Sequence, residues 1–502
     1  MRERYDLNPQ SIFTTDIRVL LSRLRCRIDT FGAASLLACV VCGPAAAGSQ
    51  SDLFQPDVFG TNSALRHRTP GLVDPLSRNC PMPVGGVSLP AAVDLALCQN
   101  PSTRVAWATA KQQAAALGSA ESAWLPTITG TGSESREVGG NHVDVDGDIE
   151  SVGQNSKDAA VTLSWTLYDF GGREGHIHQA RHLLDAAAGT LSSSVQQLIF
   201  TVTQDYYGVV AGDESLIAAK TTEEAAARSV EIAKALRAGG VATLADVLQA
   251  ETAYNQAVIT RVQADASAQS SHGTLAAALG LRADQPLKLE PEPVPVQVQP
   301  LTARISDLMT EAVRQRPDLA SALAQRDAAD SNVTVARALG RPSITIQGGH
   351  QLADTTGVPN QSYNTIGVYV TIPIFTGFNV GYGVRQAQAQ LTGQDANVEQ
   401  IRLQVSLDVW NGYYALESGN RQLAATADLT KTAESNEDVA LGRYKSGVGT
   451  IIDVLTAQTA AANARVLRIN AELTWKVARA QLALALGRLT GAQPLTGDGG
   501  LP

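Results

Sequence analysis

"GVATLADVLQA" occupies Gly240–Ala250, and "GVGTIIDVLTA" occupies Gly447–Ala457. Seven of the eleven letters agree at a spacing of 207 residues. Glycines gather at the start of each copy (Gly239 and Gly240; Gly447 and Gly449), followed by Thr243 or Thr450 and then Asp246 or Asp453. Glycine supplies the backbone freedom a chain reversal needs, and threonine is a good helix N-cap. Each copy therefore reads as the turn where one long helix ends and a return helix begins.

The repetition extends outward from these turns. At the same offset "DYYG" (Asp205–Gly208) meets "GYYA" (Gly412–Ala415), and "LAAALGL" (Leu275–Leu281) meets "LALALGR" (Leu482–Arg488). "VTLSWTLY" from Val161 meets "VYVTIPIF" from Val368. Further upstream the offset is 216: "LALCQNP" ending at Pro101 meets "EAVRQRP" ending at Pro317, and "LPTIT" from Leu125 meets "RPSIT" from Arg341. The nine extra residues of the first copy fall between Pro126 and Val161 and read as a loop insertion. The chain is a tandem duplication.

Each copy predicts the same series of elements. A helix (about Leu89–Ala123, and Ile305–Leu339) leads through a proline into a strand, then a Gly/Asn/Asp-rich loop and a second strand. The second strands alternate strictly, with Val161, Leu163, Trp165 and Leu167 on one side in copy 1, and Val368, Val370, Ile372 and Ile374 in copy 2. After "DFGG" or "TGFN" come about 65 residues without proline, roughly 100 Å of helix or two helices end to end. Apolar residues keep heptad spacing there, at Val195, Val202, Val209 and Leu216, and at Val409, Leu416 and Leu423, which suits coiled-coil packing.

The domain reading is residues 1–47 as a signal peptide and 48–88 as an extended N-terminal segment. Residues 89–285 form the first repeat, 286–304 a Pro-rich connector, 305–488 the second repeat and 489–502 a disordered tail. Residues 49–86 and the tail are rich in Gly and Pro and read as poorly ordered. Arg23, Arg25 and Arg27 precede an apolar run from Phe31 to Cys42, and Ala45 and Ala47 are small residues at cleavage positions. About twelve apolar residues are too few to span a bilayer. "LLAC" ending at Cys39 also fits a lipidation signal. After cleavage at Ala47 only Cys80 and Cys98 remain, and an oxidising compartment would allow them to pair.

A net charge of -9 argues against nucleic acid. Hydrophobic residues are 44% of the chain but aromatics only 5%, which suits closely packed, alanine-rich helices better than a thick globular core. No GxSxG, Walker loop or HExxH is present, so no enzyme, and no cofactor, is expected. "DVDGD" (Asp144–Asp148) alternates acids, but its Gly is misplaced for a calcium loop. His176, His178 and His182 lack a completing ligand, and no metal is expected. "DFGG" reads as a strand-to-helix turn. Trp165 and Tyr168 suit either an interfacial belt or ordinary sheet packing.

Four strands of eight to twelve residues suit a soluble sheet or a membrane. The long helices leave little else to cover an apolar sheet face. Four strands cannot close a barrel, and an open edge cannot exist in lipid, so membrane strands would require several chains to share one barrel.

The duplicated order helix, NP or RP, strand, strand, long helix, GxxTxxDVLxA, helix resembles the TolC-type outer-membrane efflux and secretion proteins over about Leu89–Gly491. Within that family it points towards the outer-membrane component of cyclolysin-type toxin secretion. The resemblance implies a mainly α chain with a small membrane β part. Tandem long-helix hairpins would form an α-barrel, and four strands per chain would enter a shared twelve-stranded transmembrane barrel in a homotrimer. It implies a passive outer-membrane channel of a tripartite system for type I secretion or efflux, extending into the periplasm. The partners implied are a periplasmic adaptor (membrane fusion) protein, an inner-membrane ABC or proton-driven pump, outer-membrane lipid, and an exported protein or small molecule as cargo.

By residue matching, Asp246 and Tyr444 fall where a pair closes the periplasmic mouth, and Asp453 where an acidic ring forms. Gly449 stands where an Arg would lock that mouth, and Thr456 where a second acid would sit. Gly240, Val241, Ala242, Gly447, Val448 and Gly449 match adaptor contacts. Other readings remain beside these. Asp246 and Asp453 can be helix N-terminal acids with Thr243 and Thr450 as caps, and the tip residues can simply form the turn. The competing function is an exported coiled-coil structural protein without a pore.

Overall fold

The computed structural model describes residues 57–72, 74, 85–143, 149–290 and 304–489. The signal, Cys39, Cys80, "DVDGD", most of the connector and the tail lie outside the described residues. Cys98, buried in α2, is disulfide-bonded.

The elements run α1 (Thr61–Arg68), α2 (Leu89–Gln99), α3 (Pro101–Glu121), β1 (Thr127–Val143), β2 (Ile149–Tyr168), α4 (Gly172–Ala238) and α5 (Leu244–Ala278). The second copy follows with α6 (Ile305–Gln315), α7 (Pro317–Ala338), β3 (Ser343–Thr355), β4 (Val358–Thr371), α8 (Asn379–Lys445) and α9 (Ile451–Ala485). Both proline-free stretches are single helices of 67 residues, about 100 Å each. Val195, Val202, Val209, Val409, Leu416 and Leu423 are buried along them, as the heptad spacing predicts, while Leu216 is half-buried.

Three expectations need correction. The leading helix of each copy is two helices, because the residue before a proline is driven out of the α region. Asn100 has ψ 128° and Arg316 ψ 122°, and α3 and α7 restart at Pro101 and Pro317. The strands are 17, 20, 13 and 14 residues long rather than eight to twelve, so much of the first copy's extra length extends its hairpin, and β4 ends at Thr371 before Pro373, leaving Ile372 and Ile374 beyond the strand. Finally, the stretch read as poorly ordered contains α1. Asp57 accepts hydrogen bonds from the backbone N–H of Thr61 (2.8 Å) and Asn62 (2.9 Å), Leu65 enters the core, and Arg68 pairs with Asp185 of α4.

The break before each proline is a docking point for the end of the same copy's return helix. Gly280 (φ 78°) and Gly487 (φ 73°) end α5 and α9, and a Cβ on Gly280 would stand 2.8 Å from the Gln99 carbonyl. On Gly487 it would stand 2.9 Å from the Gln315 carbonyl oxygen. Asn100 Nδ2 donates to the Ala278 carbonyl at 2.8 Å. "NP" and "LGL" are thus two halves of one contact, repeated as "RP" and "LGR".

Near the sheet the helices lie side by side in the order α3, α4, α7, α8; near the tips the order is α5, α4, α9, α8. Both rows leave the same flank of α8 open. Leu403, Leu407, Trp410 and Tyr414 form an exposed stripe on α8 away from α7 and α9.

The strands form one antiparallel sheet in chain order, β1-β2-β3-β4, with β2 and β3 joining the two copies. Its register sorts the side chains. Ile128, Leu163, Gly348 and Ile366 share a cross-strand row, as do Trp165, Ile346 and Val368. On the opposite face, Thr129, Thr162, Gly349 and Thr365 share a row. One face is apolar and the other polar. Among the described residues nothing covers the apolar face, with Ile366 88% and Val368 64% exposed.

Where the sheet meets the helices, Trp124, Trp165, Tyr168, Phe170, Phe375 and Phe378 are all exposed, an aromatic girdle of the kind found at membrane interfaces. In "DFGG", Phe170 (φ 54°) and Gly171 (φ 95°) make the turn, and Asp169 accepts from the Arg173 backbone N–H at 2.6 Å. The buried Arg173 guanidinium donates to the Thr166 (2.6 Å) and Leu167 (2.9 Å) carbonyls and stacks on Trp124.

Candidate functional site

The two tip turns are built identically, and each shared letter has a physical cause. Gly240 (φ 79°) and Gly447 (φ 74°) occupy the left-handed position after α4 and α8. The Gly240 N–H reaches the Arg237 carbonyl at 3.0 Å and the Val241 N–H the Leu236 carbonyl at 2.9 Å. The Gly447 N–H reaches Tyr444 at 3.0 Å and the Val448 N–H reaches Arg443 at 3.0 Å. These are paired Schellman bonds, which satisfy the last carbonyls of a helix.

The return helices begin with capping boxes. Asp246 N–H donates to Thr243 Oγ1 (3.2 Å) while Thr243 N–H donates to Asp246 Oδ2 (2.7 Å). In the second copy Asp453 N–H donates to Thr450 Oγ1 (3.2 Å) and Thr450 N–H to Asp453 Oδ2 (3.1 Å). Those bonds hold the exposed Asp453 carboxyl below its usual pKa, with the Arg443 charge adding to the effect. Val247, Ala250, Val454 and Ala457 of the motif are buried, and Val247, Ala250 and Val454 join Val230, Ala233 and Ile451 in a small core at the tip.

Tyr444 lies in that same core. It is 4% exposed, and its hydroxyl is buried without a hydrogen-bond partner. Burial, and after it the negative charge of Asp246, push the phenol pKa upward, so it remains a neutral donor. The structure thus brings Asp246 and Tyr444 into electrostatic range without joining them. It uses the carboxylates of Asp246 and Asp453 as helix caps.

Val241 and Val448 are exposed, and a Val241 methyl lies 3.6 Å from where a Cβ on Gly447 would stand. The two turns are therefore neighbours and present one small surface. Gly449 has a steric reason: a Cβ there would lie 3.2 Å from both Arg443 Cβ and Tyr444 N.

Two tip residues carried no sequence signal. Gln458 of α9 is buried and donates to Ser229 Oγ (3.0 Å) and the Ala225 carbonyl (3.3 Å) of α4, tying the hairpins together. A single glutamine within a helical stripe looks like any solvated position until its neighbour is known.

Tandem helical hairpins that carry an uncovered apolar sheet with two open edges define the protomer of a membrane duct. The chain belongs to the outer membrane efflux protein family, whose sequence pattern matches residues 92–281 and 308–488. It is 28% identical to Protein CyaE of Bordetella pertussis over 84% of this chain and 88% of that one. It is 26% identical to the pyoverdine export outer membrane protein OpmQ of Pseudomonas aeruginosa, over 78% and 84%. Among solved structures, the outer-membrane channel OprN superposes with a TM-score of 0.71 at 21% identity, covering 87% of this chain and 98% of that one. The protein is an outer-membrane channel of a tripartite export system that extends into the periplasm.

Proposed function

We propose that three copies close side by side into one passive duct, shut at the periplasmic tips and opened there by its partners. The observation that carries this is that the open edges coincide. Among the described residues β1 and β4 are unpaired on their outer sides, and the helix rows are open at α8 and at α3 and α5. A closed ring of identical chains fills all of these at once, whereas an open edge in lipid costs several kcal/mol per unsatisfied backbone group. Three chains of this kind supply the twelve strands that the family resemblance implies. A pore-free coiled-coil protein leaves the apolar sheet face uncovered.

In this reading Gly240–Ala242 and Gly447–Gly449 receive the periplasmic adaptor, because two adjacent turns of small residues leave backbone open to a partner hairpin. Asp246 and Tyr444 form the closing pair, with the neutral phenol as donor, and Asp453 contributes to an acidic ring. An ABC or proton-driven inner-membrane pump supplies the energy and selects the exported protein or small molecule.

Conductance of the purified protein in planar bilayers tests the reading. Wild type should give discrete, cation-preferring channels, and Tyr444→Phe/Asp246→Ala channels severalfold larger. Thr243→Ala removes a helix cap at a cost of about 1 kcal/mol but keeps the Asp246 carboxylate, and should leave conductance near wild type. Equal enlargement by Thr243→Ala would return Asp246 to a capping role alone. Absence of channels from folded protein would reject the duct.

A further inference from the structure

One face of α4 carries a chain of grooves that none of the tip chemistry uses. The largest has a volume of about 690 Å³ and lies between α3, α4, α7 and α8. Its wall includes Gln113, Gln179, Gln325, Asn332, Gln390 and Gln394, with Ser, Thr, Ala, Val and Leu making up the rest. No charged or aromatic side chain lines it. An adjoining groove continues along Thr190, Ser194, Gln197 and Thr201 of α4 to Asp318, and beside it Asp318 and Asp408 pair with Arg316 in the wall of a further groove. Another follows at Gln204, Asp205 and Gly208, with Asp205 alone charged.

On α4 these positions recur at three-, four- and seven-residue steps, so they form a single stripe along the helix. Beside the largest groove, the ion pairs of α4 lie on its opposite side. Asp185 pairs with Arg68 of α1 there, and Arg181 with Glu121 of α3. α1 packs on that side against α3 and α4. A duct cannot carry α1 across its own bore, so the α1 side is the outer surface and the grooved side faces inward.

We infer that the largest groove forms a charge-free belt of amides and hydroxyls around the sheet-proximal end of the tunnel, through which cargo carrying either sign of charge passes alike. The inference rests on the duct reading above. Amide and hydroxyl groups give and accept hydrogen bonds on equal terms, and so replace part of a cargo's hydration without sorting it by charge. The carbonyl oxygen of Gln394 is buried without a partner beside the groove, an acceptor left for water or an entering N–H. Aromatic surfaces, which would retain apolar small molecules, are missing from the lining of the largest groove. The cargo class this wall suits is an extended polypeptide of mixed charge. Ion preference is then set at the periplasmic mouth and not along this part of the bore.

The test is reversal potential across a KCl gradient for Gln179→Glu and Gln179→Lys, each in wild type and in Tyr444→Phe/Asp246→Ala. Closure of the ring places three copies of each new charge around the bore. The cation-to-anion permeability ratio should move in opposite directions by about threefold or more. Ser192→Glu, half a turn away on α4, should leave the ratio unchanged. Short polycationic and polyanionic peptides added to the parent channel with the mouth opened should block with affinities within a few-fold of one another. Conducting channels whose ratio ignores both Gln179 substitutions would overturn the luminal placement. A strong peptide sign preference would overturn the neutral wall. Absence of channels in the parent protein would instead reject the duct itself.

Discussion

Gly280→Ala and Gly487→Ala should each sharply reduce assembled protein in the outer membrane and lower the temperature at which the surviving oligomer dissociates in detergent. Two costs coincide at these positions. The backbone is left-handed, at φ 78° and 73°, which costs a non-glycine residue about 1–3 kcal/mol. The new methyl also meets backbone that cannot move aside, at 2.8 Å from Gln99 and 2.9 Å from Gln315. Overpacking of this kind adds about 1–3 kcal/mol.

Gly240→Ala separates the two terms. Its φ is 79°, yet nothing lies within 4 Å of a Cβ there. It should cost only the backbone strain and leave assembly close to wild type. Dissociation temperature measures resistance to irreversible disruption, the appropriate quantity for a membrane oligomer. If Gly240→Ala harmed assembly as much as Gly280→Ala, strain alone would explain the effect, and the proline-break contact would have no special weight.

The tip turns were legible in the sequence because duplication wrote them twice. A glycine, then a threonine, then an aspartate three residues later has a local cause, and local causes survive in the letters. The heptad positions were legible for the same reason: Val202 and Val409 sit on stripes whose period belongs to the helix itself. What could not be read depends on contacts far apart in the chain. Gln458 meets Ser229 across 229 residues, and Gln179 faces the same groove as Gln390 only once α7 lies between their helices. The breaks at Pro101 and Pro317 were readable in principle from the restriction a proline places on its predecessor, but the helical pattern on either side concealed them. Strand length was underestimated because hairpin residues such as Ser133, Glu134 and Ser135 carry no apolar alternation, although β1 pairs with β2 throughout that stretch. Backbone pairing continues there without a hydrophobic signal to announce it.

Val368→Arg should prevent stable insertion, whereas Thr365→Arg, three residues away on the same strand, should not. Successive residues of a strand point to opposite faces, so the two positions differ only in which face they use. Val368 stands in the row with Trp165 and Ile346, and Thr365 in the row with Thr129, Thr162 and Gly349. An arginine on the lipid face of a barrel costs about 2–4 kcal/mol at mid-membrane. Each chain of a shared barrel carries the substitution, so three copies reach roughly 10 kcal/mol, comparable with the whole stability of a typical domain. On the inner face the same side chain remains hydrated, and its charge acts on ions instead. Thr365→Arg should therefore insert normally and conduct with a weaker cation preference than wild type. Outer-membrane fractionation followed by bilayer recording distinguishes the two variants. Normal insertion of Val368→Arg would mean that lipid does not contact this row. The apolar face would then have to be covered by protein, which is the one arrangement that would revive a pore-free role for the chain.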